Sequence, residues 1–196
     1  MVNSKSNKLK VKDIITVVLL ALINVVIFCA SALLYAAPIT IILMPIFFSL
    51  LEGIVFFIIG TRVKKPGAIL IYCIVRSILG GYLPYIILFI FSGIIAELLL
   101  WKIGYGNAKA LTISYIINQV FAAVGSTVFP YAIAVNAMSD MSTGDGREEN
   151  ILAASEMLRS WVAPVLIVGV IITAFIGAII GRRIVKKHLV SDAKTT

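Results

Sequence analysis

Three charged side chains lie within long apolar stretches of this sequence and are the first candidates for chemistry. Glu52, Arg76 and Glu97 each have mostly aliphatic or aromatic neighbours on both sides. If these stretches cross a membrane, a charge in them costs at least a few kcal/mol, so the charged groups should face protein or water and pair. We therefore predict an intramembrane polar hub in which Arg76 pairs with Glu52 or Glu97. The hub could serve a substrate or protons, but the interpretation we prefer is a neutralised pair that fixes helix register.

The remaining residues give little support for catalysis. The one histidine, His188, lies in a basic segment near the C-terminus, so no histidine acid or base falls within an apolar run. The sequence has no HExxH, GxSxG or GxxxxGK[ST] motif. Cys29 and Cys73 stand singly in apolar runs, without the spacing of metal ligands. We therefore expect a protein that is not an enzyme and holds no metal or cofactor, with any ATP hydrolysis in partner subunits.

A second group of polar residues follows the fifth apolar run toward a polar gap at residues 136–159. An amide in hydrocarbon needs a partner, which could be a neighbouring helix or a polar solute. Aromatic residues at this level could form either a stacking surface or the belt that is common at membrane interfaces. The candidate ligand-binding residues that cluster here are Tyr85, Asn118, Thr127, Tyr131, Asn136 and Trp161.

The polar gap is net acidic in a chain whose net charge is +8. Its Glu148 and Glu149 pair is better interpreted as a solvated charge run than as a protease site, because no histidine is near. Residues 149–158 predict a short amphipathic helix, with an apolar stripe formed by Ile151, Leu152, Ser155 and Leu158. The gap is a candidate lid over a ligand site, or a simple tether between two helices. The charged candidates for the lid are Asp140, Asp145, Arg147 and Arg159.

The elements that must position these residues are membrane-spanning helices. Of 196 residues, 61% are hydrophobic and 13% are charged, whereas about a quarter are charged in typical soluble domains. A spanning helix needs about 20 mostly apolar residues. We predict an all-α integral membrane protein, a bundle of six transmembrane helices forming a single domain over residues 1–196. The predicted spans are 14–36, 39–60, 67–79, 85–101, 108–134 and 161–181.

The basic residues predict the orientation of this bundle. All of the 17 lysines and arginines except Arg76, Arg147 and Arg159 fall in the tails, 1–12 and 182–196, or in alternate connections. Because basic segments stay in the cytoplasm, both termini are predicted inside and residues 136–159 outside. The same clustering at helix ends argues against a nucleic-acid surface. Small residues four apart, such as Gly177 and Gly181, predict a close helix contact.

The whole chain resembles the substrate-binding S components of energy-coupling-factor (ECF) transporters, most of all the Trep_Strep group with its MptD-type S components. The resemblance includes the number of spans and the long loop before the last one. It also includes four sequence strings: KLKVKDII at residues 8–15, TRVKKPGA at 61–68, IIAELLL at 94–100 and IGYGNAK at 103–109.

The resemblance implies a bacterial cell-membrane protein that binds a small organic micronutrient, a vitamin or precursor, in an outward-facing pocket. Its partners would be the lipid bilayer, an ECF transmembrane coupling subunit and two ATPase subunits, with no nucleic acid. Members of this family dock through small residues on the first helix, where this chain has Ala21, Ala32 and Ala36. Two alternatives stay open: a stand-alone secondary carrier that uses the hub of Glu52, Arg76 and Glu97, and a structural membrane subunit that transports nothing.

Overall fold

The computed structural model describes residues 8–134 and 148–189, and within these ranges all regular structure is helical. The α-helices are α1 (Val11–Ala30), α2 (Pro38–Leu51), α3 (Gly53–Arg62), α4 (Ala68–Leu79), α5 (Leu83–Ile103), α6 (Ala108–Ala123), α7 (Glu148–Met157) and α8 (Ala163–Leu189). A 3-10 helix, Ser31–Ala36, follows α1, and π-helical turns at Val124–Ile133 and Leu158–Val162 extend α6 and precede α8.

The predicted all-α membrane fold is confirmed, and the predicted count of six spans stays a prediction. In the described ranges, five helical stretches are long and apolar enough to cross a membrane: Val11–Cys29, Pro38–Arg62, Leu83–Ile103, Ala108–Ile133 and Glu148–Lys187. The predicted span 67–79 is present as α4, an apolar helix of 12 residues. At about 1.5 Å per residue it is about 18 Å long, whereas a bilayer core is about 30 Å thick.

Proline and glycine set several of the helix ends. α2 starts at Pro38, and Ala37 before it is extended at φ −149° and ψ 149°, as expected for a residue before proline. Pro45 lies inside α2 and does not end it. Gly67, which precedes α4, has φ 89°, a left-handed conformation that favours glycine.

The predicted close contact at Gly177 and Gly181 is confirmed, and its partner is the junction of α2 and α3. A Cβ added at Gly177 would lie 2.4 Å from the carbonyl oxygen of Ser49, and one added at Gly181 would lie 2.5 Å from that of Gly53. Glycine is therefore required for the two backbones to approach so closely. This contact brings the segment around Glu52 firmly against α8.

The buried side chains form two clusters. The larger lies among α1, α3, α4, α5, α6 and α8, and within it Phe56 contacts the rings of Tyr72 and Tyr115. The smaller joins α2, α7, α8 and the π-helical turn after α6. The predicted amphipathic helix is present as α7, but its buried residues include Ala154, whereas Leu152 is 41% exposed. The stripe therefore runs through Ala154, because residues three and four apart share a helical face.

Contacts near the termini define two ends of the bundle. Lys65 Nζ lies 2.6 Å from Asp13 Oδ2, and the Lys64 stem packs against Gly106. The N-terminal segment and the connections α3–α4 and α5–α6 therefore meet at one end, called here the basic end. The distal end carries the α1–α2 corner, the α4–α5 turn and the residues on either side of 135–147.

Candidate functional site

A cavity of about 310 Å³ lies among α1, α2, α4, α5, α6 and the π-helical turn after α6. Its apolar lining comes from Val25, Phe28, Met44, Pro45, Phe48, Leu79, Ala122, Ala123 and Pro130. Its polar lining comes from Asn24, Arg76, Tyr82, Tyr85, Gln119, Ser126 and Thr127. Binding pockets for small molecules measure about 300–1,000 Å³ and combine apolar walls with a few polar groups. The cavity therefore has the size and composition of a small-molecule site.

The shortness of α4 helps to form this cavity. Gly80, Gly81 and Tyr82, which follow α4, line the cavity together with Pro45. Pro45 lies seven residues along α2 from Pro38, or about 10 Å below the distal end of that helix. The α4–α5 turn therefore reaches the level of Pro45, and irregular backbone within a membrane protein is tolerated if it lines a cavity.

The floor of the cavity contains a buried ion pair. Arg76 Nη2 donates to Glu52 Oε1, and Arg76 Nη1 donates to the Tyr85 hydroxyl at 2.6 Å. Gln119 Nε2 donates to Glu52 Oε2 at 2.9 Å, and the Arg76 guanidinium stacks 4.8 Å from the centre of the Phe89 ring. Both carboxylate oxygens of Glu52 thus have a donor, as a buried charge requires. Of the two predicted partners for Arg76, the structure selects Glu52.

Glu97 does not belong to this pair, so the predicted hub of three residues is divided. Its Oε1 accepts from the backbone N–H groups of Ile69 at 2.9 Å and Leu70 at 3.2 Å, and its Oε2 accepts from the Tyr105 hydroxyl at 3.1 Å. Burial, with the nearby Glu97, raises the pKa of Tyr105 to about 12, so its phenol stays a donor. Glu97 caps the first turn of α4, where free N–H groups attract a carboxylate.

The structure separates the predicted ligand-binding residues. Tyr85 and Thr127 line the cavity. Asn118 is buried beside it, where Nδ2 donates to Ser92 Oγ at 2.7 Å and Cys73 Sγ at 3.2 Å. For Asn118, the alternative of a partner on neighbouring helices is therefore the observed geometry.

Two other predicted residues lie away from the cavity lining. Tyr131 is buried in the smaller apolar cluster with α2 and α7. Trp161 is 74% exposed on the surface of the bundle, a position typical of an interfacial aromatic residue. Asn136 and the lid candidates Asp140, Asp145 and Arg147 lie outside the described residues. Arg159 is exposed, and the described part of the gap, 148–159, contributes no residue to the cavity lining.

Three cavity residues with polar groups, Asn24, Arg76 and Gln119, were not among the predicted ligand-binding residues, although Arg76 was part of the predicted polar hub. Asn24 Nδ2 donates to the Tyr72 hydroxyl at 2.7 Å, whereas its Oδ1 has no hydrogen-bond partner among the described residues. Arg76 and Gln119 both line the cavity, and Gln119 also donates to Glu52, the partner of Arg76 in the ion pair. The signal for Asn24 was available, because a lone amide interrupts an otherwise apolar run in α1.

The small residues proposed for docking occupy different environments. Ala21 is fully buried in the larger apolar cluster and is not on the bundle surface. Ala32 and Ala36 fall in the 3-10 helix Ser31–Ala36, which follows α1. The use of these residues in docking stays a prediction.

Comparison with known proteins identifies a family for the chain but no related solved structure. The chain matches no curated protein and no solved structure. A family model described as a hypothetical bacterial integral membrane protein (Trep_Strep) matches residues 11–190. With this match and its long apolar helices, the chain belongs to the Trep_Strep family of bacterial integral membrane proteins.

Proposed function

We propose that this protein is the substrate-binding S component of an ECF-type importer, which captures a small organic micronutrient such as a vitamin or a precursor. The observation that carries the proposal is the cavity of about 310 Å³ with Arg76 and Gln119 at its floor. The resemblance of the chain to S components supplies the class of transporter. The cavity itself supplies a place for the solute.

The orientation of the bundle supports uptake from outside. The basic end carries Lys64, Lys65 and Lys109, together with both basic tails. The positive-inside rule places such an end in the cytoplasm. The cavity, which is lined by the distal α4–α5 turn, then lies toward the outside, as an import protein needs.

Delivery of the solute requires other subunits in this proposal. The sequence contains no P-loop motif, so the ATP hydrolysis is assigned to two ATPase subunits and the coupling to an ECF transmembrane subunit. Because Ala21 is buried, docking would use other residues of the membrane-facing surface or a different arrangement of α1.

Two measurements test the proposal. First, mass spectrometry of small molecules released from the full-length protein, purified in mild detergent, should identify a stoichiometric organic compound. Second, proteoliposomes that contain the protein with an ECF coupling subunit and its ATPases should accumulate that compound when ATP is supplied. Absence of any bound compound, together with failure to co-purify with an ECF module, would refute the proposal. A catalytically inactive ATPase pair is the matched control for transport.

The buried pair Glu52–Arg76 beside the cavity favours a second candidate, a secondary carrier that couples solute uptake to an ion. Charged residues within spans often belong to such pathways. Uptake driven by an ion gradient, in ATP-free proteoliposomes that contain this protein alone, would decide for the carrier. A purely structural subunit has less support, because side chains do not fill the cavity.

A further inference from the structure

We infer that the cavity takes an uncharged, flat organic molecule with a hydrogen-bond acceptor for Arg76, rather than an organic anion. This inference rests on the proposed function, since it specifies the solute of the same site. An arginine at the floor of a pocket would ordinarily suggest a carboxylate or phosphate ligand. The contacts of Arg76 in this chain lead to the opposite conclusion.

The positive charge of Arg76 already has its counter-ion. Glu52, which is fully buried, contacts Arg76 and leaves the pair with no net charge. The other buried groups around it, Tyr85 and Gln119, are neutral. An anionic ligand would therefore bring a second negative charge against a single cation in a site of low dielectric constant. Burial of a charge without its own counter-ion is strongly unfavourable.

Arg76 can nevertheless bind a neutral acceptor. A guanidinium carries more N–H donors than its contacts with Glu52 and Tyr85 use. The side chain keeps 8% exposure and lines the cavity. A carbonyl oxygen or ring nitrogen on the ligand could accept from this edge, and it would not disturb the balance of charge.

The aromatic lining adds a further feature of the ligand. Asn24 lines the cavity, but its Oδ1 is fully buried, so it sets no requirement for a donor on the ligand. Phe28 and Phe48 stack with ring centres 6.0 Å apart, and both line the cavity with Tyr82 and Tyr85. Aromatic walls of this kind favour flat ring systems. A heteroaromatic ring or cyclic amide that offers an acceptor to Arg76 fits these groups together.

The test compares probe pairs of equal shape and different charge. Thermal unfolding of the purified full-length protein is measured with nicotinamide and nicotinate, benzamide and benzoate, and indole-3-acetamide and indole-3-acetate. For wild-type protein, the amide of a pair should bind at least about tenfold more tightly than its carboxylate. The variant Glu52→Gln removes the counter-ion but keeps a side chain of similar shape, so its preference should shift toward the carboxylates.

A second variant is the control in case Glu52→Gln does not fold. The double variant Glu52→Gln with Arg76→Gln restores a neutral floor, and it should keep the preference for amides while binding them more weakly. Tighter binding of carboxylates by wild-type protein, or an unchanged preference in a folded Glu52→Gln variant, would overturn the inference and leave the proposed function standing. If no probe binds, the charge at pH 7 of the co-purified compound decides: a neutral compound supports the inference and an anion overturns it. Absence of any bound compound would overturn this inference, and the proposed function falls only if the protein also fails to co-purify with an ECF module.

Discussion

Arg76 of α4 and Glu52, between α2 and α3, form a buried ion pair at the floor of the cavity. Glu52 stands one residue from Gly53, whose carbonyl oxygen is in close contact with Gly181 of α8. The pair therefore links the cavity to a close backbone contact between α8 and the junction of α2 and α3. Changes at either residue should affect both folding and binding.

Removal of one partner of this pair should be strongly destabilising. Glu52→Ala should lower the free energy of unfolding by about 3–5 kcal/mol, because it leaves the Arg76 charge buried without a counter-ion. The double variant Glu52→Ala with Arg76→Met should recover part of this loss. Unfolding in detergent, followed by near-UV circular dichroism, measures the difference. Equal stability of Glu52→Ala and wild type would contradict the buried ion pair.

Glu97 should contribute to stability without affecting the ligand. Glu97→Ala removes the acceptor for two backbone N–H groups at the start of α4, and should cost about 1 kcal/mol. Glu97→Gln keeps an acceptor oxygen and should cost less. Because Glu97 lies near the basic end, solute affinity should remain at the wild-type value in both variants. A loss of solute affinity without a loss of stability would instead show that Glu97 belongs to the ligand site.

The helix contact at Gly177 should not tolerate a side chain. Gly177→Ala places a Cβ against the backbone carbonyl of Ser49, so a helix must shift at a cost of about 1–3 kcal/mol. Gly169→Ala is the matched control on the same helix, because its Cβ would meet only the flexible end of Ile46 at 3.1 Å. Thermal unfolding of the two variants should differ clearly. Similar unfolding temperatures would show that α8 can move away from α2 without penalty.

A larger side chain within the cavity should weaken solute binding more than folding. Ala122 lines the cavity, and Ala122→Leu would occupy part of its volume, so affinity for the co-purified solute should fall at least about tenfold. Trp161→Phe changes an exposed residue outside the cavity lining and serves as the control. Isothermal titration calorimetry measures both affinities. An Ala122→Leu variant with wild-type affinity would place the solute elsewhere.

Asn118 and Asn24 show why the candidate site could be predicted only in part from the residues. Both are amides in largely apolar helices, Asn118 next to Gln119 and Asn24 alone, and the sequence does not distinguish an amide bonded to another helix from one beside a solute. Packing decides: Asn118 meets Ser92 and Cys73, whereas Asn24 lines the cavity. The same holds for two aromatic residues that were both predicted to bind a ligand: Trp161 is exposed on the surface of the bundle, whereas Tyr131 is buried.

The sequence by itself determined the membrane class, the all-helical fold and the short fourth helix, because local hydropathy and helix-ending residues act along the chain. It also indicated the close approach at Gly177 and Gly181. Only the tertiary structure decided that Arg76 pairs with Glu52, that Glu97 caps α4 instead, and that the cavity lies above this pair. These features depend on which faces of distant helices meet, and in a membrane that choice rests on shape and polar contacts rather than on hydropathy.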